Sequence, residues 1–366
     1  MKAWRFYGFG DFRLDDVPVP KLTANHVLVE PLCVQPSVTE AQLAFGIPTL
    51  AYERVKRRLE TEAPIGLFGH EFCARIIEVG PGVTRFQVGD RIAARAKLPC
   101  GQCTLCRSER SALCRRGPVI GFDQPGCFSE VALLPEIALV KVADNISDSE
   151  AACLQSLSDS VAAVETAGIQ IGDTVVIFGQ GSMGLECLQI ARLSGAGRTI
   201  TVDVRDESCQ MSKSLGADYA FNARHVDVLK EIRDLTEGNG ADVVFECAGG
   251  SPKQGLAGTA SLRQALESVR SGGKIVGVSW FGAPLELDID FLRERSLRYV
   301  FPDISTQAHL AHTVGLVSSG RVQLKHTITH VLDGLAAVPQ AFEITANKGK
   351  YGAINPAQVV LKRSGM

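Results

Sequence analysis

Cys100, Cys103, Cys106 and Cys114 fall within the stretch CGQCTLCRSERSALC. The C-x2-C-x2-C spacing, with a fourth cysteine eight residues on, lets four thiolates converge on one tetrahedral ion. Four thiolates leave no coordination position for water or substrate, which describes a structural zinc site rather than a catalytic one. Two other readings share the residue types: an iron–sulfur cluster, also held by four cysteines, and a set of disulfides. The loop has no apolar run of its own, so something other than a core must hold it.

A different chemistry is written in Gly179-Gln180-Gly181-Ser182-Met183-Gly184, which follows the apolar stretch Thr174 to Phe178 and opens a helical pattern. In a strand–turn–helix of this kind Gly179 permits the tight turn and Gly181 lets the backbone approach a pyrophosphate. Gly184 lets helix and strand pack closely. Ser182 and Met183 begin the helix, whose N-terminal N–H groups and dipole suit a phosphate. Asp203 ends the next strand pattern, 19 residues after Gly184. A carboxylate there accepts hydrogen bonds from a ribose 2′-hydroxyl and repels a 2′-phosphate, which favours NAD(H) over NADP(H). Arg205, two residues on, blurs that preference. The plainer alternative is a glycine turn in an ordinary sheet with a surface aspartate.

The third signal is Gly69-His70-Glu71, followed by the V-G-x-G-V-x-x-F-x-x-G-D-R pattern from Val79 to Arg91. With these segments, the four-cysteine stretch and the glycine turn, the chain resembles the zinc-containing alcohol and polyol dehydrogenase branch of the medium-chain dehydrogenase/reductase superfamily over nearly its whole length. The resemblance implies an α/β protein of two domains. The first, about 1–150, would be GroES-like, β-rich and carry the zinc lobe, rejoined by about 301–366. The second, about 151–300, would be a Rossmann domain with a doubly wound parallel sheet. The active site would lie in the cleft between them. The four cysteines match the family's structural zinc lobe one for one.

The match fails at the catalytic centre. The family usually reads C-G-T-D-L-H where this chain reads Ser37-Val38-Thr39-Glu40-Ala41-Gln42. By that correspondence Ser37 replaces a zinc-binding thiolate and Gln42 a histidine of the outer proton relay. Thr39, the relay hydroxyl, is kept. His70 matches the zinc-binding histidine and Glu71 its neighbouring acid. Gln155 stands where a further acid or cysteine is usual. A hydroxyl, an imidazole and an amide leave only Glu71 to neutralise a zinc ion, and serine ligates zinc poorly at neutral pH. Catalytic zinc on His70 and Glu71 is therefore expected to be absent, weak or differently bound. Cys33 and Cys153 are nearby thiols that could substitute.

Two mechanisms follow. In one, a metal on His70 and Glu71, with Ser37 and Gln155 as weak partners, polarises the alcohol or ketone oxygen while Thr39 passes the proton on. In the other, His70, Glu71 and Thr39 form a metal-free proton relay that serves carbonyl or enone reduction. A third reading, from another class, is a protein that binds NAD(H) without catalysis. The expected activity is reversible NAD(H)-dependent oxidation of a secondary alcohol or polyol to a ketone, on a small-molecule substrate. Arg54, Arg57 and Arg58, within the charged stretch AYERVKRRLETE, could attract an anionic substrate or could simply be a solvated helix face. Trp280 and Phe281 fall, by the resemblance, beside the nicotinamide, and SPKQGLAGTA (Ser251 to Ala260) reads as an insertion.

The elements that must position these groups change character along the chain. Up to about Asn145 short β-branched runs such as HVLVEPLCV, ARIIEVGPGV and SEVALL are broken by Gly, Pro and Asp, an all-β rhythm. From about Asp148 strands and helices alternate, which builds a doubly wound parallel sheet. The 366 residues exceed one ordinary core. A net charge of −2 gives no electrostatic case for nucleic acid or an anionic membrane. No stretch reaches the ~20 apolar residues of a membrane span, and MKAWRFYGFGDF lacks a signal peptide's apolar run. The 11 cysteines then fit a reducing, cytoplasmic setting, with Cys73, Cys187, Cys209 and Cys247 as core. By the resemblance a homodimer or homotetramer is expected.

Overall fold

The computed structural model describes residues 1–108, 110–250, 257–282 and 284–361. The chain divides into two compact units: Met1–Ser158 with Ile304–Met366, and Asp159–Asp303.

In the first unit, β1 (Lys2–Gly8) and β2 (Asp11–Asp16) form a hairpin. The larger sheet contains β3 (His26–Gln35), β4 (Glu71–Val79), β5 (Arg91–Ala94), β6 (Ala132–Pro135) and β7 (Leu139–Lys141). Two strands reach it from the far end of the unit's second segment, numbered β14 (Val331–Asp333) and β15 (Gln358–Val360), and the order is β14-β15-β3-β4-β5-β7 with β6 also on β3. β3 and β4 pair antiparallel and bring Gln35 directly opposite Glu71. Runs of β-branched residues interrupted by glycine turns account for these strands. The all-β expectation misses α1 (Val38–Ala44), which begins at a Ser37-x-x-Glu40 capping box. The charged stretch does form a helix, α2 (Tyr52–Glu62).

The core of this unit centres on aromatic rings. Phe342, fully buried on the helix Val338–Ala346, meets Phe12 at 5.5 Å and Phe128 at 5.2 Å between ring centroids, and Phe6 meets Phe68 at 4.9 Å. Sequence-distant segments are thus held by one apolar cluster.

Among the described residues of the second unit six strands are all parallel: β8 (Thr174–Phe178), β9 (Arg198–Asp203), β10 (Tyr219–Asn222), β11 (Ala241–Glu246), β12 (Val269–Gly277) and β13 (Arg298–Val300). Their order, β10-β9-β8-β11-β12-β13, reverses direction between β8 and β11, the crevice where such sheets bind dinucleotides. The helix Ala260–Ser268 stops where β-branched Val269 starts β12. Among the described residues no helix is long and apolar enough to cross a membrane.

Truncating Phe342 to Ala should lower the first unit's unfolding free energy by about 3–5 kcal/mol. Urea unfolding followed by near-ultraviolet dichroism would read this as an earlier transition for that unit.

Candidate functional site

Ser37 caps α1: its Oγ accepts from Glu40 N at 3.1 Å, and Glu40 Oε2 accepts from Ser37 N at 3.0 Å. This capping box turns Glu40, which has no exposure, inward. Its Oε1 lies 2.5 Å from His70 Nδ1. His70 follows two residues in the left-handed region, Phe68 (φ 66°) and Gly69 (φ 81°). A Cβ on Gly69 would come within 2.8 Å of Cys127 N, so the G-H-E segment needs its glycine. Gly121 comes so close that a Cβ there would lie 3.1 Å from Glu40 Oε1. The neighbouring Phe122 ring is 5.7 Å from the imidazole.

On the other side of the ring, His70 Nε2 faces Glu71 Oε1 at 3.8 Å, beyond direct hydrogen-bond reach. Glu71 Oε2 accepts from Gln35 Nε2 at 2.5 Å. One buried imidazole therefore stands between two carboxylates. Nδ1 is directed at Glu40, and Nε2 is the nitrogen on the Glu71 side of the ring. Thr39 lies half-buried in the first turn of α1, and Gln155 is buried in the first turn of the helix Leu154–Ala167. Sequence reasoning passed over Glu40 and Gln35. The S-x-x-E pattern at Ser37 was the available signal for Glu40; nothing local marks Gln35.

Ser37 and the nearby thiols do not fit as ligands of a second zinc here. Ser37 Oγ is committed to the helix cap, and the carboxylates of Glu40 and Glu71 sit on opposite ring nitrogens rather than around one point. Cys33 and Cys153 turn to the glutamines instead: Cys33 Sγ lies 3.5 Å from Gln358 Oε1, and Cys153 Sγ 3.5 Å from Gln35 Oε1. Burial pushes the Cys33 thiol up to about 12, the wrong direction for a thiolate ligand. Among the described residues, the only group of three or more His, Cys, Asp or Glu side chains whose ligand atoms converge is Cys100, Cys103, Cys106 and Cys114.

That cysteine group does fit an ion. Its sulfurs are 3.6 Å (Cys103–Cys106), 3.8 Å (Cys103–Cys114) and 3.9 Å (Cys100–Cys106) apart. Tetrahedral zinc with bonds of ~2.3 Å sets its sulfurs about 3.8 Å apart. A disulfide needs ~2.05 Å, so these thiols are unpaired. The backbone N–H of Cys100 helps pull Cys114 down to about 6, and N–H groups of Gln102 and Cys103 lower Cys100. Burial pushes Cys106 up to about 11, and only a bound cation would reverse that.

In the second unit Gly179 (φ 87°) turns the chain at the end of β8. A Cβ on Gly179 would lie 2.6 Å from Ala248 backbone, and one on Gly184 would lie 1.8 Å from Gly179 O. Gly181 is the N-cap of the helix Ser182–Leu193 and offers no side-chain cap, while Ser182 and Met183 form its first turn. Asp203 closes β9, and its Oδ2 accepts from Gln180 N at 2.6 Å, tying the carboxylate to the glycine turn. Arg205 Nε is 3.7 Å from Asp203 Oδ1. This cradle fits a dinucleotide: it places bare backbone where phosphate must approach and a carboxylate where ribose must sit. Phe281 packs against this unit's core and Trp280 is 38% exposed. Ser251–Leu256 of the inserted stretch lie outside the described residues. Arg54 pairs with Asp123, and Arg58 with Glu62 and the Phe122 carbonyl, so these two arginines brace α2 rather than stand open to an anion. Of the cysteines expected in the core, Cys73, Cys187 and Cys209 are buried and Cys247 is partly so.

A β-rich unit with a four-cysteine lobe and a buried Glu–His–Glu cluster, together with a dinucleotide-type sheet, defines a two-unit dehydrogenase. Residues 44–144 match the alcohol dehydrogenase GroES-like domain and residues 182–302 the zinc-binding dehydrogenase domain. The chain is 31% identical over 358 residues to L-threonine 3-dehydrogenase of Pyrococcus abyssi, covering 97% of this chain and 96% of the relative. It is 29% identical over 341 residues to sorbitol dehydrogenase of Bacillus subtilis, covering 90% and 89%. A structure from Sinorhizobium meliloti 1021 with NADP bound superposes with a TM-score of 0.84 at 26% identity, covering 98% of each chain. The chain belongs to the zinc-binding alcohol and polyol dehydrogenases of the medium-chain dehydrogenase/reductase superfamily and is an oxidoreductase of that family.

Because Ser37 acts as a cap, Ser37→Ala should cost about 1 kcal/mol of stability and Ser37→Asp should restore it. Chemical unfolding of the three proteins checks this, and zinc content should not change among them.

Proposed function

We propose that this dehydrogenase interconverts a secondary alcohol or polyol and its ketone with NAD(H), and that His70 handles the proton without a second zinc. The observation that carries the reading is the buried Glu40–His70 contact, which sets a carboxylate against Nδ1 where it can stabilise an imidazolium. Oxidation of a secondary alcohol releases a hydride and a proton. The nicotinamide, when bound, takes the hydride at its C4 position. His70 Nε2 takes the proton, directly or through the Thr39 hydroxyl, and Glu40 stabilises the imidazolium that results. In reduction the same nitrogen returns the proton to the ketone oxygen. Glu71 orients the ring's outer face and adds negative potential beside it. The relatives' substrates, threonine oxidised at carbon 3 and sorbitol, both carry secondary hydroxyls, which supports this substrate class.

Asp203 at the end of β9 supports NAD(H) as the preferred nucleotide, because a 2′-phosphate would approach its carboxylate. Cys100, Cys103, Cys106 and Cys114 would hold one structural zinc, which braces a loop without a core of its own. Conjugate reduction of an enone draws on the same proton donor, and a ketone and enone panel separates it from carbonyl reduction.

His70→Asn should lower kcat by about 10²–10⁴-fold while NADH binding, read by its fluorescence, stays at the wild-type level. Wild-type turnover should favour NAD(H) over NADP(H). Wild-type kcat after His70→Asn, or preference for NADP(H), would overturn the respective assignment.

A further inference from the structure

Behind Glu71 lies a chain of buried amides. Gln35 and Gln358 are 1% and 0% exposed. Gln35 ends β3 and faces Glu71 across the β3–β4 pair, while Gln358 starts β15, which pairs antiparallel with β3 on its other side. Gln358 Nε2 donates to Gln35 Oε1 at 2.8 Å and to the Ser149 carbonyl at 2.8 Å. Gln358 Oε1 accepts from Cys33 Sγ at 3.5 Å. Gln35 Oε1 also receives Cys153 Sγ at 3.5 Å, and Gln35 Nε2 then donates to Glu71 Oε2 at 2.5 Å.

The chain has a direction. Ser149 O can only accept, so it requires the NH2 end of Gln358. That NH2 end requires the carbonyl end of Gln35, and the NH2 end of Gln35 is left facing Glu71. Reversing either amide would set a carbonyl oxygen against Ser149 O or against the Glu71 carboxylate. A buried polar group left facing a like partner costs the full desolvation penalty. The Ser149 carbonyl, 78 residues from Glu71 in sequence, thus fixes which atom of Gln35 the carboxylate meets. With Oε2 held by Gln35, Oε1 is the oxygen turned to His70 Nε2.

We propose that Gln358 is a positioning residue for the proton-handling site: by setting the polarity of the Gln35 amide it holds Glu71 as a hydrogen-bond acceptor with its second oxygen on His70. The proposal rests on His70 being the proton-handling group. Neither glutamine touches the reacting atoms, so their effect passes through Glu71.

The test uses two near-isosteric variants of the full chain. Gln358→Glu keeps the shape, and across a pH series its carboxyl passes from neutral, with a hydrogen to give, to ionised, with none; once it is ionised Gln35 must turn its NH2 to it and show Glu71 a carbonyl. Gln358→Met keeps length and packing and removes the signal of either polarity. Each is read by kcat and KM, by the unfolding midpoint, and by the ¹⁵N shifts of the His70 ring in ring-labelled protein, assigned with His70→Asn. Gln358→Glu should lower kcat by about 10–100-fold, as loss of a supporting hydrogen bond does, with KM little changed and the His70 ring shifts moved. Gln358→Met should fall between it and wild type. If Gln358→Glu does not fold, Gln358→Met against wild type carries the same comparison. Unmoved ring shifts in folded variants would overturn the proposal, as would equal losses from both variants that track the unfolding midpoint. The ring shifts do not depend on turnover. Moved shifts with no effect of His70→Asn on kcat would keep the relay and sink the proton-handling reading. Unmoved shifts with His70→Asn inactive would do the reverse.

Discussion

A fully buried carboxylate, Glu40, is the constraint on which the first unit's site depends. Leaving such a group unpaired costs about 1–3 kcal/mol, and more when it is charged. One oxygen is answered by the backbone N–H of Ser37 and the other by His70 Nδ1. Those two bonds fix where α1 starts and which nitrogen of His70 faces Glu40. They also explain the glycines nearby, since Gly121 passes where a side chain would press on the carboxylate and Gly69 passes close to Cys127. The serine that stands where the family usually has a cysteine is consistent with this arrangement: it supports the carboxylate through the helix cap.

The second unit uses the same device for another ligand. Asp203 holds the glycine turn through Gln180 N, so the carboxylate expected at the ribose also stiffens the loop expected at the phosphates. The glycine turn lies where the strand order reverses, beyond the ends of β8 and β11, and Asp203 ends the neighbouring strand β9. The cysteine lobe stands apart from both sites in its chemistry. Its sulfurs are already at the spacing of one tetrahedral ion, and its stability is tied to that ion rather than to apolar burial.

Local patterns were legible in the sequence. The glycine turn, Asp203 and the four cysteines each lie within a few residues of one another or one strand apart, so spacing alone states their geometry. The alternation of the second unit was equally plain, because strand and helix periods differ. What could not be read was contact between distant segments. Gln358 meets Gln35 across 323 positions, and Phe342 meets Phe12 only once the chain's later segment has packed into the first unit. Glu40 lay between: its capping box was visible, but that its other oxygen reaches His70 depends on a turn of unusual backbone at Phe68 and Gly69. Arg54 and Arg58 looked open to an anion because Asp123 and Phe122, which engage them, follow more than sixty positions later.

We propose that the four cysteines hold the chain's one zinc and that the proton chemistry is done by His70 and its carboxylates. Zinc per chain, measured by elemental mass spectrometry on wild type and on His70→Asn, tests it most directly. About one zinc is expected in each protein. About two in wild type, falling to one in His70→Asn, would contradict it and make His70 a metal ligand.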